Sequence, residues 1–150
     1  MKSIKKSIYD RLLNLTETKI KNLKTDIDST ITSRNTDTKS SAGDKHETSR
    51  AKIQIEIDQL SKQLSILNQQ HQILLSINIK KENKKIGVGS LVYTNAGAYF
   101  VGIGLGKIQL GEKEYYGISL ASPIGRILKD KIVGDEFIFN SNNYKILDIY

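Results

Sequence analysis

The sequence lacks cysteine and tryptophan, has one proline, and contains only two histidines among its 150 residues. Without thiolates it has no disulfide framework, no cysteine-ligated zinc site and no cysteine nucleophile for catalysis. His46 and His71 are 25 positions apart, which argues against a histidine-rich metal site. No apolar run approaches the roughly 20 residues that a membrane-spanning helix requires. The basic N-terminus is not followed by the apolar segment of a signal peptide, so we expect a soluble, intracellular protein.

Charge and glycine divide the sequence in two. Residues 1–85 contain 17 Lys and Arg against 10 Asp and Glu, whereas residues 86–150 contain six of each. Only Gly43 precedes residue 87, and the other ten glycines follow it. This change of composition predicts two architectures, one at residues 1–82 and one at residues 86–150.

Apolar residues in the first part recur at steps of three or four, which is the spacing of one helix face. The first run, with a single step of five, is Ile4, Ile8, Leu12, Leu15, Ile20, Leu23, Ile27 and Ile31. The second run has heptad spacing and is Ile53, Ile57, Leu60, Leu64, Leu67, His71 and Leu74. The polar segment between them indicates a turn. We therefore expect antiparallel helices over roughly 3–33 and 48–80 that form a coiled-coil hairpin with its tip at 34–48.

His71 lies on the apolar seam of the second predicted helix. A role as a ligand is one interpretation. We favour the other, in which a partly solvated polar residue on the seam helps to set the register of the two helices.

The second part has the pattern of a small β-rich domain. Short segments rich in β-branched and aromatic residues predict six strands: Ser90–Thr94, Ala98–Leu105, Lys107–Leu110, Glu114–Ser119, Glu136–Asn140 and Tyr144–Ile149. Ser122–Lys129 interrupts them with a helical pattern, in which Ser122 is a good N-cap and Pro123 fits the first turn. The glycines of Gly102–Lys107 resemble a phosphate-binding loop. No helix pattern follows them, and Lys107 is not followed by Ser or Thr, so we predict a glycine-rich hairpin instead.

Asp44 and Glu47 are the pair of acidic residues with the clearest chemical potential. If a helix begins at or just after Asp44, two carboxylates three residues apart share one helix face. Such a pair binds Mg²⁺ weakly by itself, because this ion keeps its waters and prefers further oxygen ligands. It would act where another protein supplies more carboxylates. The alternative is a capping box, with Asp44 as N-cap and Glu47 three residues later, which by spacing alone is the more common arrangement.

Three segments of the second part form an ordered signature: Gly117–Leu128, Lys131–Phe137 and Tyr144–Ile149. Together they resemble the C-terminal domain of the Gre transcript cleavage factors. The family pattern is I-S-x-x-S-P-[IL]-[GA]-x-[AI]-L, then a G-D element, then a closing strand. The resemblance implies an α+β protein, with an N-terminal antiparallel coiled-coil hairpin followed by a small antiparallel β-rich FKBP-like domain with one short helix. The apolar patterns predict the same hairpin and β-rich domain.

In that family the globular domain docks on the rim of the secondary channel of RNA polymerase, and the coiled coil enters the channel. Two acidic residues at its tip help to hold Mg²⁺ at the polymerase active site. The family tip pattern is G-D-x-x-E-N-A-E-Y. Gly43, Asp44 and Glu47 match it, whereas Thr48 replaces the Asn and the next three residues differ. The resemblance therefore implies a transcription elongation factor that is not itself an enzyme. It would stimulate cleavage of backtracked RNA by the polymerase, with Asp44 and Glu47 as catalytic residues in trans and shared Mg²⁺ ligands.

The same resemblance suggests further contact residues. Nascent RNA at the tip would meet three basic candidates, Lys39, Lys45 and Arg50, for which a solvated basic loop is the alternative. The best-matched stretch supplies the polymerase-docking candidates Ser122, Pro123, Ile124 and Gly125. The lysine run Lys80, Lys81, Lys84 and Lys85 fits a solvated linker or a surface that meets polymerase or nucleic acid. We expect a cytoplasmic monomer with no membrane partner and no small-molecule substrate.

Two other functions stay open. A Gre-like regulator would bind the secondary channel without supporting cleavage, which the altered residues after Glu47 allow. A peptidyl-prolyl isomerase is suggested only by the implied FKBP-like fold, and a fold does not by itself define an activity. Isomerases of that type use an aromatic-lined pocket, and this chain has no Trp and three Phe.

Overall fold

The structure, a computed structural model, describes residues 1–37 and 43–150. Its elements are the helices α1 (Lys2–Asp37), α2 (Gly43–Leu75) and α3 (Pro123–Leu128), and the strands β1 (Leu91–Thr94), β2 (Gly97–Val101), β3 (Gly106–Leu110), β4 (Lys113–Ile118), β5 (Glu136–Phe139) and β6 (Asn142–Ile149). The predicted α+β class is confirmed. Within the described residues, neither long helix is apolar enough to cross a membrane.

Internal contacts divide the chain into two compact units. One combines Met1–Leu13 with Ile73–Tyr150, and the other is Asn14–Gln72. The second unit is an antiparallel helical hairpin, as predicted. Side chains of α1 meet side chains of α2 at two levels, and its interior includes the buried residues Leu23 and Ile57.

The hairpin tip predicted at 34–48 is too long, because α1 continues to Asp37 and α2 already begins at Gly43. Polar residues do not by themselves end a helix, and this segment contains no proline.

Helix α2 ends at Leu75, five residues before the predicted end at residue 80. Two local hydrogen bonds account for this correction. The Ser76 hydroxyl donates to the carbonyl oxygen of Ile73 at 2.7 Å, and the Asn78 side chain accepts from the backbone N–H of Lys80 at 3.1 Å. Ser and Asn side chains that bond nearby backbone groups in this way compete with helical hydrogen bonds.

The six strands form one sheet in the order β3-β4-β2-β1-β6-β5. All neighbours are antiparallel except β2 and β4, which are parallel. The glycine-rich hairpin predicted at residues 102–107 is therefore wrong, as is the predicted extension of β2 to Leu105. Strand β4 lies between β2 and β3, and the chain between those two strands crosses the end of β4, where the Gly102 N–H donates to the Ile118 carbonyl at 2.8 Å.

Apolar side chains on both faces of the sheet are buried within the first unit. On one face, Leu91 and Phe100 belong to a core cluster with Ile8, Leu12 and Leu74, which come from the two long helices. The other face forms a second cluster that is built from Val92, Tyr99, Val101, Ile118, Phe137 and Ile146, together with Ile86 and with Leu128 of α3. Alternation along each strand explains this arrangement, because neighbouring side chains point to opposite faces.

Candidate functional site

Asp44 and Glu47 both lie in α2, which begins at Gly43. The two positions are three residues apart on a continuous helix, so they belong to one helix face, as the magnesium interpretation requires. The Glu47 side chain is exposed, whereas the side chain of Asp44 lies outside the described residues. The capping box requires Asp44 to precede the helix as its N-cap. Asp44 is the second residue of α2, and a helix start is defined only to within one or two residues, so the capping box stays the alternative to a magnesium ligand.

The register of the hairpin locates Glu47 relative to the end of α1. Arg34 Nη1 donates to Gln54 Oε1 at 2.8 Å, and His71 Nε2 lies 3.2 Å from Glu17 Oε1. Both pairs keep the same register, which places the end of α1 at residue 37 opposite residue 51 of α2. Position 47 is therefore one helical turn beyond the level at which the described part of α1 ends.

An acidic pair in the first turns of a helix lies in a favourable field. The unpaired N–H groups at a helix N-terminus carry partial positive charge, which stabilises nearby carboxylates. Among the side chains that the structure describes, which leave out those of residues 37–46, no three His, Asp or Glu form a group that could hold a metal ion. Asp44 and Glu47 alone provide fewer ligands than the octahedral shell of Mg²⁺ demands. The pair fits this ion only as a partial ligand set that a partner completes.

Of the three candidates for RNA contact, Arg50 is the one whose side chain the structure describes. Arg50 is exposed on α2, three residues after Glu47, so the two side chains belong to one stretch of helix surface. Lys45 lies in the first turn of α2 by its backbone, and its side chain lies outside the described residues. Lys39 lies entirely outside the described residues.

The four docking candidates lie at the beginning of α3. The Ser122 hydroxyl caps this helix, accepting from the Gly125 N–H at 3.1 Å and donating to the Ser119 carbonyl at 2.6 Å. Gly125 is buried, and a Cβ there would lie 2.0 Å from the carbonyl oxygen of Ser119. Pro123 is exposed and Ile124 is half-buried. Ser122 and Gly125 thus build the turn, and Pro123 is the candidate with the most surface free for a partner.

The residues that follow α2 contact lysines at the start of α1, and no local sequence pattern predicts these contacts. Lys5 Nζ of α1 donates to the Lys81 carbonyl oxygen at 3.0 Å, and Lys2 Nζ lies 2.7 Å from Glu82 Oε1. Lys5 is 2% exposed although it carries a charge. Sequence reasoning interpreted Lys2 and Lys5 only as part of a basic N-terminus. Position 5 lies three residues before Ile8 and seven before Leu12, both fully buried, and this helical spacing is a signal in the sequence for the burial of Lys5.

No protein-family model matches this chain, and a search of curated proteins found no significant match. The resemblance to the Gre factors therefore depends on the motifs in residues 117–149 and 43–47 and on the hairpin-plus-sheet arrangement alone.

Proposed function

We propose that this protein is a Gre-type transcription elongation factor that binds RNA polymerase in the cytoplasm. Its helical hairpin enters the secondary channel, and Asp44 and Glu47 reach the active site of the polymerase. The observation that carries the proposal is the position of this pair. Both residues begin the second helix of a long antiparallel hairpin, and Glu47 is exposed one turn beyond the level at which the described part of α1 ends.

In the proposed mechanism the two tip carboxylates have one task, which is to bind a Mg²⁺ ion. A Mg²⁺ ion shared with the polymerase would lower the pKa of a bound water and stabilise negative charge on the scissile phosphate. Asp44 and Glu47 would supply carboxylate oxygen ligands to this ion beside those of the polymerase.

Docking is assigned to the β-rich part of the chain. The turn at Ser122–Gly125 is held by its cap and by the close approach of Gly125 to Ser119, so it presents Pro123 in a fixed position. A rigid turn loses little conformational entropy on binding. This supports its use as a contact with polymerase, with affinity provided there and chemistry provided by the hairpin.

One observation favours the second candidate, a secondary-channel regulator without cleavage activity. The family pattern has Glu at the position of Arg50, and here the exposed Arg50 lies on the same helix surface as Glu47. A guanidinium three residues from Glu47 on a helix places a positive charge near the carboxylate that would bind Mg²⁺, and this charge opposes binding of the cation. The Arg50→Glu variant separates the two candidates, because it removes that positive charge and restores the charge of the family pattern.

The test is RNA release from stalled, backtracked polymerase with and without the full-length protein. The proposal predicts faster release of short 3′ RNA fragments in the presence of Mg²⁺. If the protein binds polymerase and only Arg50→Glu stimulates release, the regulator is the better description. A protein that neither binds polymerase nor changes release would contradict both candidates.

A further inference from the structure

A cavity of about 700 Å³ opens beside the first turns of α1, in the unit formed by Met1–Leu13 and Ile73–Tyr150. This volume lies within the range of small-molecule sites. Five lysines line it, against one side-chain carboxylate: Lys2, Lys5, Lys80, Lys81 and Lys84, with Glu82. The rest of the wall includes apolar side chains, among them Ile79 and Tyr150, and the uncharged polar residues Ser3 and Asn83. The cavity therefore combines a strong positive charge with an apolar surface.

Lys5 distinguishes this cavity from an ordinary patch of surface lysines. It is almost completely buried, and its Nζ donates to the carbonyl oxygen of Lys81, a second residue of the wall. Burial lowers the pKa of Lys5, and the charge of Glu82 partly offsets that effect. A buried ammonium held mainly by a neutral carbonyl lacks a full compensating charge. An anion in the cavity would supply it.

Glu82 is the acidic side chain of the cavity wall, and its ion pair with Lys2 is weak. Glu82 Oε1 lies 2.7 Å from Lys2 Nζ, but both side chains are more than three-quarters exposed. Exposed pairs of this kind contribute little to stability. A phosphate group carries more charge and more acceptor atoms than one carboxylate, so it can replace Glu82 as the partner of Lys2.

We propose that this cavity binds a compact polyphosphate, either an inorganic chain of two or three phosphates or the polyphosphate group of a nucleotide. Lysine is suited to such ligands because its ammonium is a point charge with three donors. A nucleic-acid strand passing over the rim would meet the exposed lysines without entering as far as the buried one. The involvement of Lys5 thus favours a small ligand that fills the cavity. The proposal concerns the isolated protein and does not depend on its action on polymerase.

Isothermal titration calorimetry on the full-length protein tests this directly. The titrants are tripolyphosphate, ATP and a ten-nucleotide single-stranded RNA, at a fixed ionic strength of about 0.1 M because salt screens exposed lysines. We expect saturable one-to-one binding of tripolyphosphate and ATP. Equal affinity for the two would indicate recognition of phosphates alone, and tighter binding of ATP would indicate that the apolar wall also contacts the base or ribose.

Four variants locate the site. Lys5→Met and Lys84→Gln should each weaken tripolyphosphate binding by about fivefold or more, since each removes a charge-assisted contact. Glu82→Gln should strengthen it severalfold, because the competing carboxylate is gone. Lys129→Gln is the matched control: it removes an exposed lysine of the same unit that does not line the cavity, and it should leave binding unchanged. Lys84 is exposed, so its variant tests the site even if Lys5→Met unfolds the protein.

Three results would overturn the proposal. The first is an absence of saturable binding by either polyphosphate. The second is equal weakening by Lys84→Gln and Lys129→Gln, which would mean general attraction to a basic protein. The third is binding of the RNA alone, with an affinity that Lys5→Met does not change.

Discussion

His71 of α2 and Glu17 of α1 meet across the hairpin, with Nε2 and Oε1 3.2 Å apart. Moving 17 residues along α1 from Glu17 leads to Arg34, and moving 17 residues back along α2 from His71 leads to its partner Gln54. The two helices therefore keep one register over this length. This register is what places Glu47 beyond the described end of α1.

The contact between His71 and Glu17 should contribute little to stability. The side chains are 22% and 52% exposed, so solvent screens the attraction even when the imidazole is protonated. A double-mutant cycle with His71→Gln and Glu17→Gln should give a coupling free energy below about 1 kcal/mol at pH 6. The free energy of unfolding from urea titrations is the measurement. A coupling of several kcal/mol would mean that this contact, rather than apolar packing, holds the register.

Gly125 should be far less tolerant of substitution than Gly104. A Cβ at Gly125 would lie 2.0 Å from the Ser119 carbonyl oxygen, whereas a Cβ at Gly104 would meet no atom within 4 Å. Gly125→Ala should lower the free energy of unfolding by about 2 kcal/mol or more, because backbone must shift. Gly104→Ala should leave it unchanged or raise it by up to about 1 kcal/mol.

Tyrosine fluorescence during urea unfolding is a suitable probe for both glycine variants. All seven tyrosines belong to the unit of Met1–Leu13 and Ile73–Tyr150, which also contains both glycines, and the chain has no Trp. Equal effects of the two substitutions would show that the approach of α3 to Ser119 is not as close as described.

Burial of Lys5 should make stability depend on alkaline pH. Its pKa in the folded protein is lowered from 10.5 by burial, so between that lowered value and 10.5 the unfolded chain binds more protons than the folded one. Stability then rises with pH over that interval. Tyr93 and Tyr99 act oppositely near pH 10, because burial raises their pKa values and the folded state keeps protons that the unfolded chain loses.

The Lys5→Met variant isolates the contribution of this lysine. On the alkaline side, below the range near pH 10 in which the tyrosines dominate, the variant should lose the rise in unfolding free energy that the wild type shows. Urea titrations at several pH values measure it, with Lys129→Gln as the control. Identical pH profiles for Lys5→Met and wild type would mean that Lys5 titrates in the folded protein as it does in water.

Local patterns predicted the helices and most strand positions, because side-chain spacing within a segment determines them. The heptad run from Ile53 to Leu74 predicts most of α2. It predicts neither the beginning at Gly43, where the residues are polar, nor the end at Leu75, where Ser76 and Asn78 side chains bond the backbone. The pairing of β2 with β4 could not be predicted, since it depends on which strand is inserted between β2 and β3. Likewise, Lys5 and Lys81 are 76 residues apart, so no local pattern links them.

In the candidate site, too, local features can be predicted from the sequence and contacts between distant residues cannot. The spacing of Asp44 and Glu47 is a local feature, so the sequence was sufficient to identify the pair and to place it near a helix start. The role of Gly125 was different. The motif marked it as a docking candidate, but its close approach to Ser119 becomes visible only in three dimensions.

The most direct test of the proposed function is transcript cleavage by backtracked polymerase with the Asp44→Asn variant. Asn keeps the size and hydrogen-bonding capacity of Asp at a helix start, but it is a poorer ligand for Mg²⁺. Glu47→Gln and the neighbouring Thr48→Ala serve as a second ligand variant and a control. Polymerase binding, measured in parallel by competition with labelled wild-type protein, should be unchanged for all three.

We expect Asp44→Asn and Glu47→Gln each to lower the stimulated cleavage rate by about 100-fold or more, because several kcal/mol of transition-state stabilisation depend on the ion. Thr48→Ala should have little effect on that rate. Full stimulation by Asp44→Asn at normal polymerase binding would contradict the proposed function.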